Sequence, residues 1–206
     1  MDSRKIEFVV FDVETTGLYP TEGDRIIEIA AVKVKNRKVI GTFETFINPR
    51  REIPIEAQRI NKITPEMIAD APTHDKVFPD MLEFIGGACL AGHNVKFDLD
   101  FLCYEMSLLG RKLQNTTPAL DTLKLAKLFL PQVSNFRLLT LAQYFGIRIE
   151  ETHRALADVK LTVDLMYHLL EMAPERGIPS CQELFKECCV ALPKYKIEDV
   201  VQDMLF

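Results

Sequence analysis

Near its N-terminus the chain runs Ile6-Glu7-Phe8-Val9-Val10-Phe11 and then meets two acids, Asp12 and Glu14, ahead of Thr15-Thr16-Gly17. A short run this dense in aliphatic and aromatic side chains suits a strand covered on both faces. Residues two apart in an extended chain project to the same side, so Asp12 and Glu14 are expected side by side at the end of that buried strand. Neighbouring carboxylates repel each other, and burial disfavours their ionised forms. Two resolutions are open from the residues: a solvated turn at Thr15–Gly17, or a hard divalent cation. Mg²⁺ in particular is held by a few carboxylates together with waters and phosphate.

The rest of the chain supplies a frame for that strand. Arg25–Lys35 is rich in Ile and Val, and Lys38–Ile47 alternates apolar with polar residues across a short Asn36-Arg37 link, the pattern of a hairpin. Residues 49–73 carry four prolines and read as turns and short helices, with Thr64-Pro65-Glu66 resembling a helix start. Helices are expected at Lys76–Ile85, Phe97–Leu109, Thr122–Leu130, Leu138–Phe145 and Arg154–Met172, with a short buried strand at Ala88–Gly92. Strands followed by helices with interspersed strands predict an α/β or α+β sheet layered with helices.

A composition shift at Pro174–Pro179 separates residues 1–175 from a C-terminal extension, 176–206. There Ser180 and Glu183 form a capping-box pattern, with Leu184, Phe185, Cys188, Cys189 and Leu192 behind them. Ile197, Val200, Val201, Met204 and Leu205 then recur at helical spacing. The two amphipathic helices read here either pack on their own domain or show an apolar face to a partner.

Two further acidic positions stand out. Asp98 lies in Gly92-His-Asn-Val-Lys-Phe-Asp98, where a short strand passes through a polar loop into a helix; alone it reads equally as an acid favoured by the helix dipole. Asp158 falls in the early turns of a long apolar helix, behind His153-Arg-Ala-Leu-Ala. A buried Asp there requires a partner, either a metal or a base such as Arg154 or Lys160. His153 alone reads equally as a surface residue at a helix start.

Taken together, Phe11-Asp-Val-Glu-Thr-Thr-Gly-Leu18, Gly92–Leu102 and His153–Asp158 resemble the three exonuclease motifs of the DEDD superfamily. The histidine five residues before the last aspartate is similar to its DEDDh branch, which includes the proofreading 3′–5′ exonucleases of bacterial DNA polymerase III. The likeness runs in order over residues 6–172, and Arg25–Val34 and Leu120–Ala126 also look typical of it. It implies a ribonuclease-H-like fold, a mixed five-stranded sheet flanked by helices. It also implies that Asp12, Glu14, Asp98 and Asp158 bind two Mg²⁺ or Mn²⁺ ions, with His153 as general base. Thr15, Thr16, Gly17, Leu18 and Phe97 would hold the terminal nucleotide, and Asn94 would help orient the second acidic position. Where many relatives carry His-Gly-Ile-Thr this chain has Asn61-Lys62-Ile63-Thr64, which puts Asn61 near the terminal base.

The expected activity is removal of nucleotides from the 3′ end of single-stranded DNA, in proofreading or repair and with a DNA polymerase catalytic subunit as a possible partner. RNA or short oligoribonucleotides are the alternative substrate, and a catalytically silent binding module the alternative class. At 206 residues the chain can bury roughly 70% of its unfolded surface, so no staple is required. No apolar stretch approaches the ~18 residues of a membrane span, and the N-terminus lacks a signal-peptide core, so no membrane partner and a cytoplasmic location are expected. Five cysteines without a CxxC pair read as reduced thiols. A net charge of −5 argues against a broad basic surface, yet two divalent ions on the four acids would bring it to about −1. Lys96, Arg137 and Lys160 lie nearest the motifs as candidate phosphate contacts.

Overall fold

The computed structural model describes residues 5–114, 116–149, 154–174 and 181–195. Five strands form one mixed sheet: β1 (Glu7–Thr15), β2 (Ile26–Lys35), β3 (Lys38–Phe46), β4 (Cys89–Gly92) and β5 (Ala119–Asp121). Their order is β3-β2-β1-β4-β5. β1 runs antiparallel to β2 and parallel to β4, and β4 runs parallel to β5. This is the mixed five-stranded, helix-flanked architecture expected from the sequence. β1 outlasts its apolar run, so Asp12 and Glu14 lie within the strand, and the register slips only beyond Glu14. Asn36 and Arg37 both take positive φ (49° and 62°), as the tight turn between β2 and β3 requires.

A 3-10 turn (Pro20–Glu22) and eight α-helices complete the described chain: α1 (Ile55–Asn61), α2 (Pro65–Ile68), α3 (His74–Ile85), α4 (Lys96–Leu108), α5 (Thr122–Phe129), α6 (Leu138–Tyr144), α7 (Ala155–Met172) and α8 (Cys181–Cys188). Strand periodicity divides β1 between two cores. Phe8 and Val10 pack with Leu125, Val159, Met166 and Leu169 of α5 and α7, while Val9, Phe11 and Val13 pack with Phe78, Met81, Leu99 and Phe101 of α3 and α4. A smaller cluster, Ile27, Ile53, Ile63 and Ile68, seats α1 and α2 beside β2. By the same alternation Asp12 and Glu14 extend the face of β1 that α7 covers.

α4 is pinned to the sheet by an ion pair. Arg25, at the mouth of β2, donates Nε to Glu105 Oε1 (2.8 Å) and Nη2 to Oε2 (2.6 Å). Glu105 is buried and also accepts from the Ile26 amide. The guanidinium donates in addition to Nδ1 of His74 (2.8 Å), whose pKa is lowered chiefly by burial. His74 is therefore neutral and an acceptor in this bond.

The described part of the C-terminal extension packs on the same unit. Leu184 and Cys188 enter the core that α7 covers, and Phe185 meets Phe8 edge-on at 6.5 Å. Cys189 bridges antiparallel to Leu120, Val190 N donates to Ala119 O, and Tyr195 meets Tyr104 edge-on at 5.3 Å. The chain thereby covers the outer edge of β5, which would otherwise offer open hydrogen-bonding groups. The boundary near residue 175, the Ser180 cap and the helix over 197–205 lie outside the described residues. Cys89, Cys103, Cys188 and Cys189 are free thiols. No helix among the described residues is long and apolar enough to cross a membrane.

Truncating Glu105 to Ala strands a largely buried guanidinium and the Ile26 amide. The expected loss is about 3 kcal/mol of unfolding free energy, measured by urea denaturation. A loss under about 1 kcal/mol, the value of a surface ion pair, would show that the pair does not hold α4.

Candidate active site

Asp12 and Glu14 arrive from β1, and Asp158 from the first turn of α7. Each of the three can place a carboxylate oxygen within 4.8 Å of the other two. Asp98 comes from the first turn of α4, is buried, and accepts from the Val13 amide (3.1 Å), directly between Asp12 and Glu14 in the strand. Three elements remote in sequence thus deliver the four predicted carboxylates to one end of the sheet. His153 lies outside the described residues.

The electrostatics of the cluster follow from its composition. The Asp12 carboxyl is held well above its ordinary range by burial and then by Asp98, Glu14 and Asp158. Burial, Glu28 and Asp158 push Glu14 up to about 7, against the lowering effect of Arg154. Asp98 rises to about 8, mainly through burial, although the Val13 amide favours its charged form. Such a set of oxygen donors lacks enough positive charge of its own and fits hard divalent cations.

Glu28 governs how α7 reaches this point. It lies opposite Glu14 in the β1–β2 register and is buried. Arg154, just ahead of α7, donates Nη2 to Glu28 Oε1 (2.8 Å), and the Ala155 amide approaches Oε2 at 3.4 Å. Arg154 therefore serves the helix start.

The loop after Glu14 is shaped by Asp24, a residue that no motif singles out. Its carboxylate accepts from Thr16 Oγ1 (3.2 Å) and the Tyr19 amide (3.1 Å), and Arg51 reaches it from outside. A Cβ on Gly17 would stand 2.2 Å from Asp24 Oδ2, so only glycine fits there. Thr15 Oγ1 donates to Gly17 O, and Leu18 and Tyr19 project into solvent, 65% and 57% exposed. Asn61 is buried behind this loop: Nδ2 donates to Thr15 O (3.3 Å) and Oδ1 accepts from Ile63 N (2.9 Å). Both ends of its amide are used within the protein, so its reach toward a nucleotide runs through Thr15.

On the far side, Asn94 is exposed at φ 61°, with its amide donating to Asp121 Oδ1 (3.0 Å). Asp121 also caps α5 through the Leu123 amide, and His93 spans Thr122 Oγ1 and Phe136 O at 2.8 Å each. The hold of Asp121 on the Asn94 loop was not legible, because that contact joins the ends of two strands distant in sequence. Phe97 is half-buried against Phe101, with ring centroids 5.1 Å apart. Of the candidate phosphate contacts, Lys96 is paired with Asp100 (2.6 Å), and Arg137 and Lys160 are exposed at the starts of α6 and α7.

The exonuclease family model, RNase_T, matches residues 9–166 and so takes in β1, α4 and the start of α7. The chain belongs to the exonuclease family. This exonuclease domain is 41% identical over 203 residues to the PolC-type DNA polymerase III of Caldanaerobacter subterraneus subsp. tengcongensis, covering 96% of this chain and 14% of that one. It is 40% identical over 178 residues to a DNA polymerase III subunit epsilon-like protein of Rhodobacter capsulatus, covering 84% and 25% respectively. The chain thus spans a quarter or less of the length of these relatives. Among solved structures, exonuclease X in complex with 5′-overhanging duplex DNA aligns with a TM-score of 0.66 at 25% identity, over 81% of this chain and 93% of that one. The family depends on divalent metal ions, for which the acidic cluster supplies donors.

Raised carboxyl pKa values mean that the folded, metal-free domain holds protons more tightly than the unfolded chain. Its stability is then greatest below the ordinary carboxylate range and falls as pH rises through about 7 and 8, where Glu14 and Asp98 ionise. In EDTA the melting temperature should fall between pH 5 and pH 8, as read by calorimetry. Asp12→Asn should raise it at pH 8 by about 5 °C and shrink the gain given by Mn²⁺ or Mg²⁺. A metal-free melting temperature that holds steady over this pH range would contradict the assigned electrostatics.

Proposed function

We propose that this chain is a divalent-metal-dependent 3′–5′ exonuclease that releases nucleoside monophosphates from the 3′ end of single-stranded DNA. The observation that carries this reading is the convergence of Asp12, Glu14 and Asp158 within 4.8 Å of one another, with Asp98 bonded to the strand between the first two. Those four residues would hold two ions, Mg²⁺ or Mn²⁺. When bound, such a pair supplies Lewis-acid stabilisation of the attacking and leaving oxygens of an in-line displacement.

The protein's own groups divide the remaining tasks. His153 would accept the proton of the attacking water as general base. Leu18 and Phe97 offer apolar surface to bases, a contact tolerant of sequence. The Thr15-Thr16-Gly17 backbone, fixed by Asp24 and by Asn61 at Thr15 O, borders the terminal nucleotide on one side, and the Asn94 loop borders it on the other. Relatives named as DNA polymerase III proteins support a role beside a polymerase in the cytoplasm, in proofreading or repair.

The test is incubation of the purified protein with 5′-labelled single-stranded DNA and RNA of equal sequence, in Mg²⁺, Mn²⁺ or EDTA. Shortening from the 3′ end, dependent on metal and faster on DNA, is expected. Asp12→Ala should lower the rate by at least about 10³-fold, the scale of losing one preorganised electrostatic group, without loss of folded structure by circular dichroism. Preference for RNA would transfer the reading to ribo-oligonucleotides, and inactivity on both polymers would overturn it.

A further inference from the structure

The exonuclease reading leaves open how a polyanion is held beside a cluster of carboxylates, and the inference that follows rests on that reading. Cations on the segments that hold the strand end at Glu14 and Thr15 include Arg51, Arg154, Arg59 and Lys62. Arg51 is bound to Asp24, and Arg154 to Glu28. Arg59 and Lys62 are exposed, and among the described residues neither forms an ion pair with an acid. Both stand at the C-terminal end of α1, where the intervening Asn61 bonds to the carbonyl of Thr15. Lys62 is thus next to, and Arg59 two residues before, the residue that ties α1 to the end of the catalytic strand.

The backbone at Lys62 sharpens the point. It ends α1 in the left-handed region, φ 61° and ψ 19°, with its amide donating to Gln58 O at 3.0 Å. That conformation favours glycine over a lysine. The Lys62 ammonium rests on the Arg59 carbonyl, one of the unsatisfied carbonyls at the helix end, so it waits at the surface without an anionic partner. Beside it Ile60 is 68% exposed, and across the loop Leu18 and Tyr19 offer more unburied apolar surface. Cations interleaved with apolar and aromatic surface are what a single strand needs: phosphates on the charges, bases on the platforms.

We propose that Lys62, together with Arg59, is a substrate-positioning residue that grips phosphates of the single strand upstream of its terminal nucleotide. Neither touches the reacting atoms. Their contribution lies in binding polymeric substrate, not in turning over the bond.

The experiment compares wild type, Lys62→Gly, Lys62→Arg and Arg59→Gln on a single-stranded oligonucleotide and on the p-nitrophenyl ester of thymidine 5′-monophosphate, which has no upstream phosphate. For Lys62→Gly the oligonucleotide KM should rise about threefold to tenfold with kcat little changed, and the slope of log KM against log salt should become shallower by about 0.7, the value of one single-strand phosphate contact. Arg59→Gln should behave alike, and Lys62→Arg should restore both quantities. Glycine suits the left-handed backbone, so the melting temperature of Lys62→Gly should hold or rise. A lowered melting temperature with unchanged salt slope and KM would make Lys62 a helix cap alone and overturn the proposal. Wild-type inactivity on both ester and oligonucleotide would instead overturn the exonuclease reading, and this inference with it.

Discussion

The carboxylates of Asp12, Glu14, Asp98 and Asp158 repel one another at close range in a partly dry site, and the rest of the fold has to hold them there. Backbone hydrogen bonding fixes the first two within β1. The other two ride on helices, and each helix is tied to β2 by a buried glutamate paired with an arginine. Glu105 of α4 grips Arg25 at the mouth of β2, and Glu28 of β2 grips Arg154 at the start of α7. In both pairs the glutamate is buried and is also approached by a backbone amide, that of Ile26 or of Ala155. Buried ion pairs of this kind contribute little net stability over an apolar replacement. Their value here is placement: each resists the outward drift that repulsion would impose on the helix carrying an acid.

The same logic extends to the loop beyond β1. Asp24 takes bonds from Thr16 and Tyr19 and leaves no room for a side chain at position 17, and Asn61 fixes the carbonyl of Thr15. A loop so constrained loses little conformational entropy when something binds against it. The exposed tip, Leu18 and Tyr19, is therefore presented by a rigid base.

Much of this was readable in the residues, and the parts that were not share a cause. Asp12 and Glu14 were legible because strand period and an apolar run place them without knowledge of any partner. Asp98 and Asp158 were legible only as members of ordered motifs, since alone Asp98 also reads as a helix-start acid and Asp158 as the partner of a nearby base. β5 escaped the strand expectations because three residues, Ala119–Asp121, carry no period of their own; pairing with β4 makes them a strand. α1 falls in the proline-rich stretch read as turns and short helices, but its bounds were not legible, because it gives only Ala57 to the apolar cluster there. Glu105 and His74 act through contacts tens of residues away and Asp24 through an irregular loop, and no local pattern announces either.

Charge gives the last step. A chain with a formal −5 is a poor match for a polyanion if its charge is spread evenly. It is not spread evenly here: four acids are gathered at one end of the sheet, where bound divalent ions would cancel or invert the local sign. Screening confines what lies beyond to within about 10 Å at moderate salt. Attraction of a strand's end is then decided by groups at the rim of the site, and distant surface acids matter little. Three cations beside the site are committed to acids of the protein, Arg51 to Asp24, Lys96 to Asp100 and Arg154 to Glu28. Net charge is thus a weak guide to substrate for a protein of this construction; the pairing of each cation beside the site is the stronger one.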